Sequence, residues 1–274
     1  MPRDSLGHNA EGPSDKTVWV LKFEALDGEP IALVVNYAVH STVVFGTGEV
    51  SGDLAGAACR YIEDHIDDHV EDHHDGGAVA LWTPGPLGDQ APRVNLGLPF
   101  GVAPTERQKA RAYAAMDAQG LIVGAEVLRV AASLTGLTSS VRIGAEQRTV
   151  PCPVKAGRDV MPSMRQELVD TVPLRLALIT LADVALAGVS GEVVTDVYRH
   201  LAARSPLART LLISIANDRI GYLPDDARFD RPVHSVNGCP IARGHAETAI
   251  VEGVSDMIAR RLGRPLRPVP EKAL

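Results

Sequence analysis

Four short apolar runs in this chain each stop on a polar group, and that arrangement restricts the fold more than any other feature. Residues 33–39 (LVVNYAV) end on His40-Ser41-Thr42, and residues 78–82 (AVALW) lead into a loop that holds Asp89. Residues 184–189 (VALAGV) end on Ser190-Gly191-Glu192, and residues 211–216 (LLISIA) end on Asn217 and lead to Tyr222. Runs this short, rich in β-branched residues and bounded by turn formers, suit buried strands better than helices. Helical patterns lie between them. Residues 53–72 repeat Ala58, Ile62, Ile66 and Val70 every fourth position, the stripe of an amphipathic helix. Residues 105–134 form a long Ala-rich helical stretch that Gly120 and Gly124 are candidates to break, and residues 193–203 read as a further helix. The class is α/β, with mixed β-sheets flanked by helices. In such folds ligands gather at strand ends, where loops bring distant side chains together.

Two hairpins are expected. Residues 17–23 (TVWVLKF) and 31–39 are strands joined through Asp27-Gly28, a strong hairpin signal. Residues 174–181 (LRLALITL) and 184–189 turn back on each other at Asp183, and residues 141–150 read as a strand running into Pro151-Cys152-Pro153. Residues 1–15 are an irregular lead-in, residues 16–264 the α/β domain, and residues 265–274 a polar, Pro-containing tail.

A core of this kind needs apolar material, and 45% of the 274 residues supply it. The net charge of -7, the lack of a basic stripe and an aromatic content of 4% argue against a nucleic-acid partner. No apolar run reaches the roughly 20 residues that span a bilayer, and the polar N-terminus lacks the apolar segment of a signal peptide. A soluble cytoplasmic protein is expected. Cys59, Cys152 and Cys239 are few, odd in number and far apart, which supports neither a disulfide framework nor a Cys-rich metal site.

His65, His69 and His73 recur at helical spacing, followed by His74. Histidines four apart on a helix can chelate a metal. Here they stand among Glu63, Asp64, Asp67, Asp68, Glu71 and Asp72, and Ile66 occupies the position where the metalloprotease pattern needs Glu. The solvated-face reading prevails. The loop 83–93 (TPGPLGDQAPR) is different: two glycines and three prolines turn it sharply at a strand end. Backbone amides in such a loop can hold an anion or a polarised carbonyl.

The motifs, taken in order, resemble the neutral/alkaline non-lysosomal ceramidase-like family. They are Val20-Leu21-Lys22-Phe23 through Asn36-Tyr37-Ala38-Val39-His40-Ser41-Thr42, then Ser51-Gly52-Asp53 with Gly56, then Gly88-Asp89-Gln90-Ala91-Pro92-Arg93, Gly191-Glu192, and residues 217–224 (NDRIGYLP). The resemblance covers residues 16–262. It implies one zinc ion and hydrolysis of the amide bond of an N-acylated substrate. Carried across by motif, His40, Glu192 and Tyr222 are implied metal ligands. Departures accompany the matches. The family's upstream Thr-His-Thr-His-Ser-Gly-type motif, with its first zinc histidine, has no counterpart, so the chain corresponds to the C-terminal half of the family's catalytic domain. Ala91 stands where ceramidases carry serine, Gly244-His245-Ala246-Glu247 replaces a Gly-Tyr-Glu-like motif, and no C-terminal immunoglobulin-like domain follows.

The expectation is therefore a zinc-dependent hydrolase of an amide or ester bond in a small acylated substrate. Zinc with mixed N and O ligands and an open position lowers the pKa of bound water to about 7 and polarises a carbonyl. Asp89 is expected to orient a ligating histidine or a water, and Tyr222 to share in the chemistry. Asn36, Gly88, Ala91, Asn217 and His245 are the candidates for contacting substrate, with Asn36 and Asn217 reading more as hydrogen-bonded scaffold. Three ligands leave the metal set open. Either they suffice, helped by a local histidine such as His8 or His245, or a second polypeptide supplies the missing half-domain, which is the favoured reading. The alternative from another class is a metal-free subunit or degenerate paralogue that keeps the fold.

Overall fold

Strands β1 (Trp19–Glu24) and β2 (Pro30–Tyr37) form the antiparallel hairpin expected from Asp27-Gly28. Gly28 takes φ 97°, which glycine adopts without strain. In this computed structural model residues 9–66, 77–95, 102–156, 170–231 and 233–268 are described; the helical histidines His69, His73 and His74, read as a solvated face, and the candidate local ligand His8 lie outside them. The described residues divide between two compact units. One takes in Met1–Gly12, Lys16–Thr83 and Ala91–Ser139; the other takes in Pro13–Asp15, Pro84–Gln90 and Ser140–Leu274.

In the first unit β3 (Val79–Pro84) joins the hairpin in the order β1-β2-β3. Alternation decides what each face sees. Leu33, Val35 and Ala80 are buried and, with Val20, pack against Ile62 of α1 (Asp53–His65) and Val127 and Ala131 of α2 (Glu106–Ser133). Register and alternation put Trp19, Leu21, Phe23, Ala32, Val34, Val79 and Leu81 on the other face. Phe23, Val79 and Leu81 are exposed there. Helix α2 begins in a capping box between Thr105 and Gln108 and runs unbroken, contrary to the expected break at Gly120 and Gly124. The glycines answer to packing instead. A Cβ on Gly120 would lie 2.5 Å from Ala57 Cβ, and one on Gly124 2.7 Å from Tyr61 Cδ1. They let α1 and α2 approach, at about 1 kcal/mol each in helix propensity. His65 is exposed, stacks on Tyr61 and donates from Nδ1 to the Tyr61 carbonyl at 2.7 Å, in keeping with a solvated face.

In the second unit β4 (Ile143–Pro153), β5 (Thr171–Leu181) and β6 (Val184–Val189) are consecutive antiparallel neighbours. The chain then forms β7 (Glu192–Val193) and α3 (Thr195–Arg204) before β8 (Arg209–Ile213) pairs parallel to β6. The mixed sheet has the order β4-β5-β6-β8. After it come β9 (Tyr222–Leu223), a 3-10 turn at Asp226–Asp230, α4 (His234–Asn237) and α5 (Ala246–Leu262). Val172, Leu174, Leu176 and Leu178 form the buried side of β5 and join one core with Val197 and Leu201 of α3 and Ile250, Val254, Met257 and Ile258 of α5. Each such side chain contributes about 1.5–3 kcal/mol relative to exposure.

Two expected boundaries shift. The helix expected over 193–203 starts at Thr195, because Glu192 and Val193 are paired with β9. The strand expected to reach residue 216 ends at Ile213, after which Ile215 (φ 58°) and Asn217 (φ 64°) turn the backbone into the left-handed region. For a β-branched residue that conformation is a strained one. The three cysteines are free, and burial pushes the Cys239 thiol up to about 11, which keeps it protonated and unreactive.

Candidate functional site

The second unit places two of the expected ligands side by side. β7 and β9 pair in parallel with Glu192 opposite Tyr222, because Glu192 N–H donates to the Gly221 carbonyl at 2.8 Å and Val194 N–H to the Leu223 carbonyl at 3.2 Å. Gly191 permits this approach: a Cβ there would stand 2.6 Å from Leu223 Cδ1 and 2.9 Å from the Gly221 carbonyl oxygen. Glu192 is 2% exposed. Its carboxylate accepts the Tyr222 hydroxyl and meets Arg219, whose Nε and Nη2 lie 3.1 and 2.9 Å from Oε1. Burial, reinforced by the charge of Glu192, holds the Tyr222 phenol well above its usual range. The ring packs edge-on against His234, and its backbone N–H donates to the Gly238 carbonyl at 3.2 Å.

The loop after β3 closes over this pair from the backbone side. Gly88 N–H donates to the Val193 carbonyl at 2.8 Å, and a Cβ on Gly88 would come within 2.4 Å of the Glu192 carbonyl oxygen. Gly88 is thus a close-approach residue beside Glu192. Asp89 turns toward α3. Its Oδ1 accepts from Thr195 N–H at 2.9 Å, Thr195 Oγ1 at 2.8 Å and Gln90 Nε2 at 2.9 Å, while Oδ2 lies 2.6 Å from Arg228 Nη2. Arg228 also pairs with Asp225 at 2.5 Å and Asp196 at 3.1 Å. Burial drives the Asp225 carboxyl above its usual range despite that guanidinium. Next to this cluster, His200 Nδ1 sits 2.5 Å from Glu247, which also accepts the Asp226 N–H at 2.7 Å.

The remaining candidates fall elsewhere. Asn36 is buried in the first unit and donates to Thr83 Oγ1 at 3.1 Å, which ties β2 to β3 as scaffold. Ala91 is exposed in that unit, and His40 stands half-buried just beyond β2. Asn217 is exposed in a left-handed turn and accepts Arg175 Nη1 through its carbonyl at 3.0 Å, and His245 is exposed at the N-cap of α5. Arg219, Arg228 and Asp225 escaped the sequence reading. Arg219 lay within the NDRIGYLP motif, where its position three residues before Tyr222 was the available signal.

Zinc needs three or four converging donors. Among the described residues no group of three or more His, Cys, Asp or Glu side chains comes together. Glu192 and Tyr222 supply two oxygen donors, and Arg219 is the cation against the carboxylate. The second unit on its own does not complete a zinc site.

No family model and no curated protein matches the chain. Solved structures do, two ceramidases among them. One is a ceramidase complexed with C2, with a TM-score of 0.64, 14% identity and coverage of 92% of this chain and 49% of that one. The other is neutral ceramidase from Pseudomonas aeruginosa, with a TM-score of 0.62, 17% identity and coverage of 92% and 48%. The chain folds like half of a neutral ceramidase. It spans about half the length of these ceramidases, and at such identity the likeness concerns the fold. Within that ceramidase-like fold, the β7–β9 pair is where Glu192 and Tyr222 meet. Among the described residues no helix is long and apolar enough to cross a membrane.

Proposed function

We propose that this chain is part of a zinc-dependent, ceramidase-like hydrolase that cleaves the amide, or an ester, bond of a small N-acylated substrate. The observation that carries the reading is the adjacency of a buried carboxylate, Glu192, and a phenol, Tyr222, on a ceramidase-like fold. The ligands implied by sequence are His40, Glu192 and Tyr222. Zinc, when bound, supplies an acidified water and a polarised carbonyl. The chain's own part is to hold the Tyr222 proton on its oxygen and to keep the Glu192 carboxylate buried beside Arg219. Ala91 in place of serine argues that substrate choice differs from that of the ceramidases. A second polypeptide corresponding to the remaining half of the ceramidase chains completes the enzyme in this reading.

A metal-free subunit is the competing reading, and the Arg219–Glu192 pair favours it, because the buried carboxylate already has a counter-charge. Elemental analysis of the purified protein, alone and with added zinc, separates the two. About one zinc per complete site, lost in both His40→Ala and Glu192→Ala, supports the hydrolase. A folded protein that takes up no zinc even when assembled with the second polypeptide, and full occupancy in His40→Ala, each refute the assignment.

A further inference from the structure

We propose that Asp53 is a positioning residue that fixes the backbone carrying His40; the inference rests on the reading that His40 acts chemically. Asp53 is buried, with 7% of its surface exposed, and it opens α1 with φ 49°. Its carboxylate leaves the helix. Oδ1 accepts the N–H of Val43 at 2.9 Å and that of Leu54 at 2.7 Å, and Oδ2 accepts the N–H of Val44 at 2.9 Å. The return bond comes from the other side, where Ser41 Oγ accepts the N–H of Ala55 at 3.1 Å. Ser51 Oγ takes the Asp53 N–H at 3.0 Å, and the Gly52 carbonyl takes the Gly56 N–H at 2.9 Å.

An ordinary cap satisfies the orphan amides of its own helix. Here the first turn is satisfied by Ser51, Asp53 itself, Ser41 and Gly52, and the carboxylate spends two of its three bonds on the segment that follows His40. Val43 and Val44 are buried in one core with Val39 and Leu54, so the segment is held by packing and by charge-assisted bonds together. Aspartate is among the few residue types that tolerate the left-handed region, and a residue stays there only where its surroundings over-determine it. His40 therefore sits between the end of β2 and a clamp three residues on. Its placement is set from α1 as well as from the strand.

The test uses the full chain with labelled histidine, in Asp53→Asn, Asp53→Ala and Ser41→Ala, with Asp225→Asn as a control that removes a buried carboxylate from the other unit. Amide exchange at Val43 and Val44, the imidazole NMR signals of His40 assigned through His40→Ala, and zinc affinity by calorimetry are the readouts. Asp53→Asn is expected to accelerate exchange at both amides, to split or broaden the His40 signals, and to weaken zinc binding by about tenfold or more. Asp225→Asn should leave the His40 signals in place. If neither Asp53 variant folds, Ser41→Ala should give the same changes to a smaller degree. Unchanged His40 signals in a folded Asp53 variant, or in Ser41→Ala where the Asp53 variants fail to fold, overturn the proposal. A wild-type chain that takes up no zinc by itself bears on the metal site and not on this proposal, since the imidazole signals still decide the role of Asp53.

Discussion

Glu192 and Tyr222 are register partners across two parallel strands of two residues each, and the phenol donates to the carboxylate. Neither strand is long enough to stand alone. The pairing is held by the backbone bonds from Glu192 to Gly221 and from Val194 to Leu223, and by glycines at positions 88 and 191 that leave no room for a side chain. The result is an acid–base pair in which the carboxylate is fully sheltered and the phenol keeps its proton.

Tyr222→Phe removes the donor and leaves the carboxylate with Arg219 alone. A hydrogen bond to a buried charged group is worth about 1.5–3 kcal/mol, so urea unfolding at pH 7 should show a loss of about that size. The pH dependence has a definite sign. The phenol's pKa is raised by folding, so its contribution is fully present below the unfolded value near 10 and falls as pH climbs above it, because the unfolded chain releases the proton first. The wild type should lose stability above pH 10 more steeply than Tyr222→Phe. Parallel alkaline limbs in the two proteins would contradict the assignment.

Asp89 was expected to orient a metal ligand or a water, and the bonds around it tie together Thr195 at the start of α3, Gln90 and Arg228. Removing one partner of a buried ion pair costs about 3–5 kcal/mol when the other charge stays behind. Arg228 keeps Asp196 and Asp225 when Asp89 is removed, so Asp89→Ala should fall below that range, at about 1–3 kcal/mol for the unpaired donors it leaves, in denaturant titration. If the variant instead keeps its stability and loses only zinc or turnover, Asp89 belongs to the chemistry.

The strands were legible because apolar runs of that length with turn residues at both ends have few alternatives. The Asp27-Gly28 hairpin and the 174–189 hairpin appear where expected. Glu192 and Tyr222 were legible as motif members, while Arg219 was not, because an ion pair across a turn leaves no periodic mark. Asp53 stood in the Ser51-Gly52-Asp53 motif, yet its partners Val43 and Val44 contribute only backbone N–H groups, which every residue but proline carries. Gly120 and Gly124 were read as breaks since glycine is a poor helix former, and the close approach of α1 that explains them is a tertiary fact.

That approach gives a third stability prediction. By propensity alone Gly120→Ala should gain about 1 kcal/mol in the middle of a helix. The added methyl would lie 2.5 Å from Ala57 Cβ, with backbone atoms at 2.9 and 3.0 Å behind it. Overpacking of this kind costs about 1–3 kcal/mol, so a net loss is expected in thermal denaturation. A more stable Gly120→Ala would mean that α1 and α2 do not pack this closely.

The last prediction concerns the face of β1–β3 turned away from α1 and α2. Phe23, Val79 and Leu81 are 42%, 49% and 50% exposed there, next to half-buried Trp19, Leu21, Ala32 and Val34. A contiguous apolar patch on a sheet face marks an interaction surface or an aggregation risk. In the split-enzyme reading proposed above, the occupant is the second polypeptide. Expressed alone, the chain should self-associate through this face, as followed by sedimentation velocity. Phe23→Lys together with Leu81→Lys should raise the monomer fraction while shifting stability by only about 0.5 kcal/mol, since surface substitutions seldom do more. Co-expression with the proposed second polypeptide, carrying a His-x-His motif, should protect the amides of β1 and β3 from exchange and yield a soluble heteromer. A wild-type chain that stays monomeric at high concentration, with an association state indifferent to the two lysines, would show that this face needs no cover.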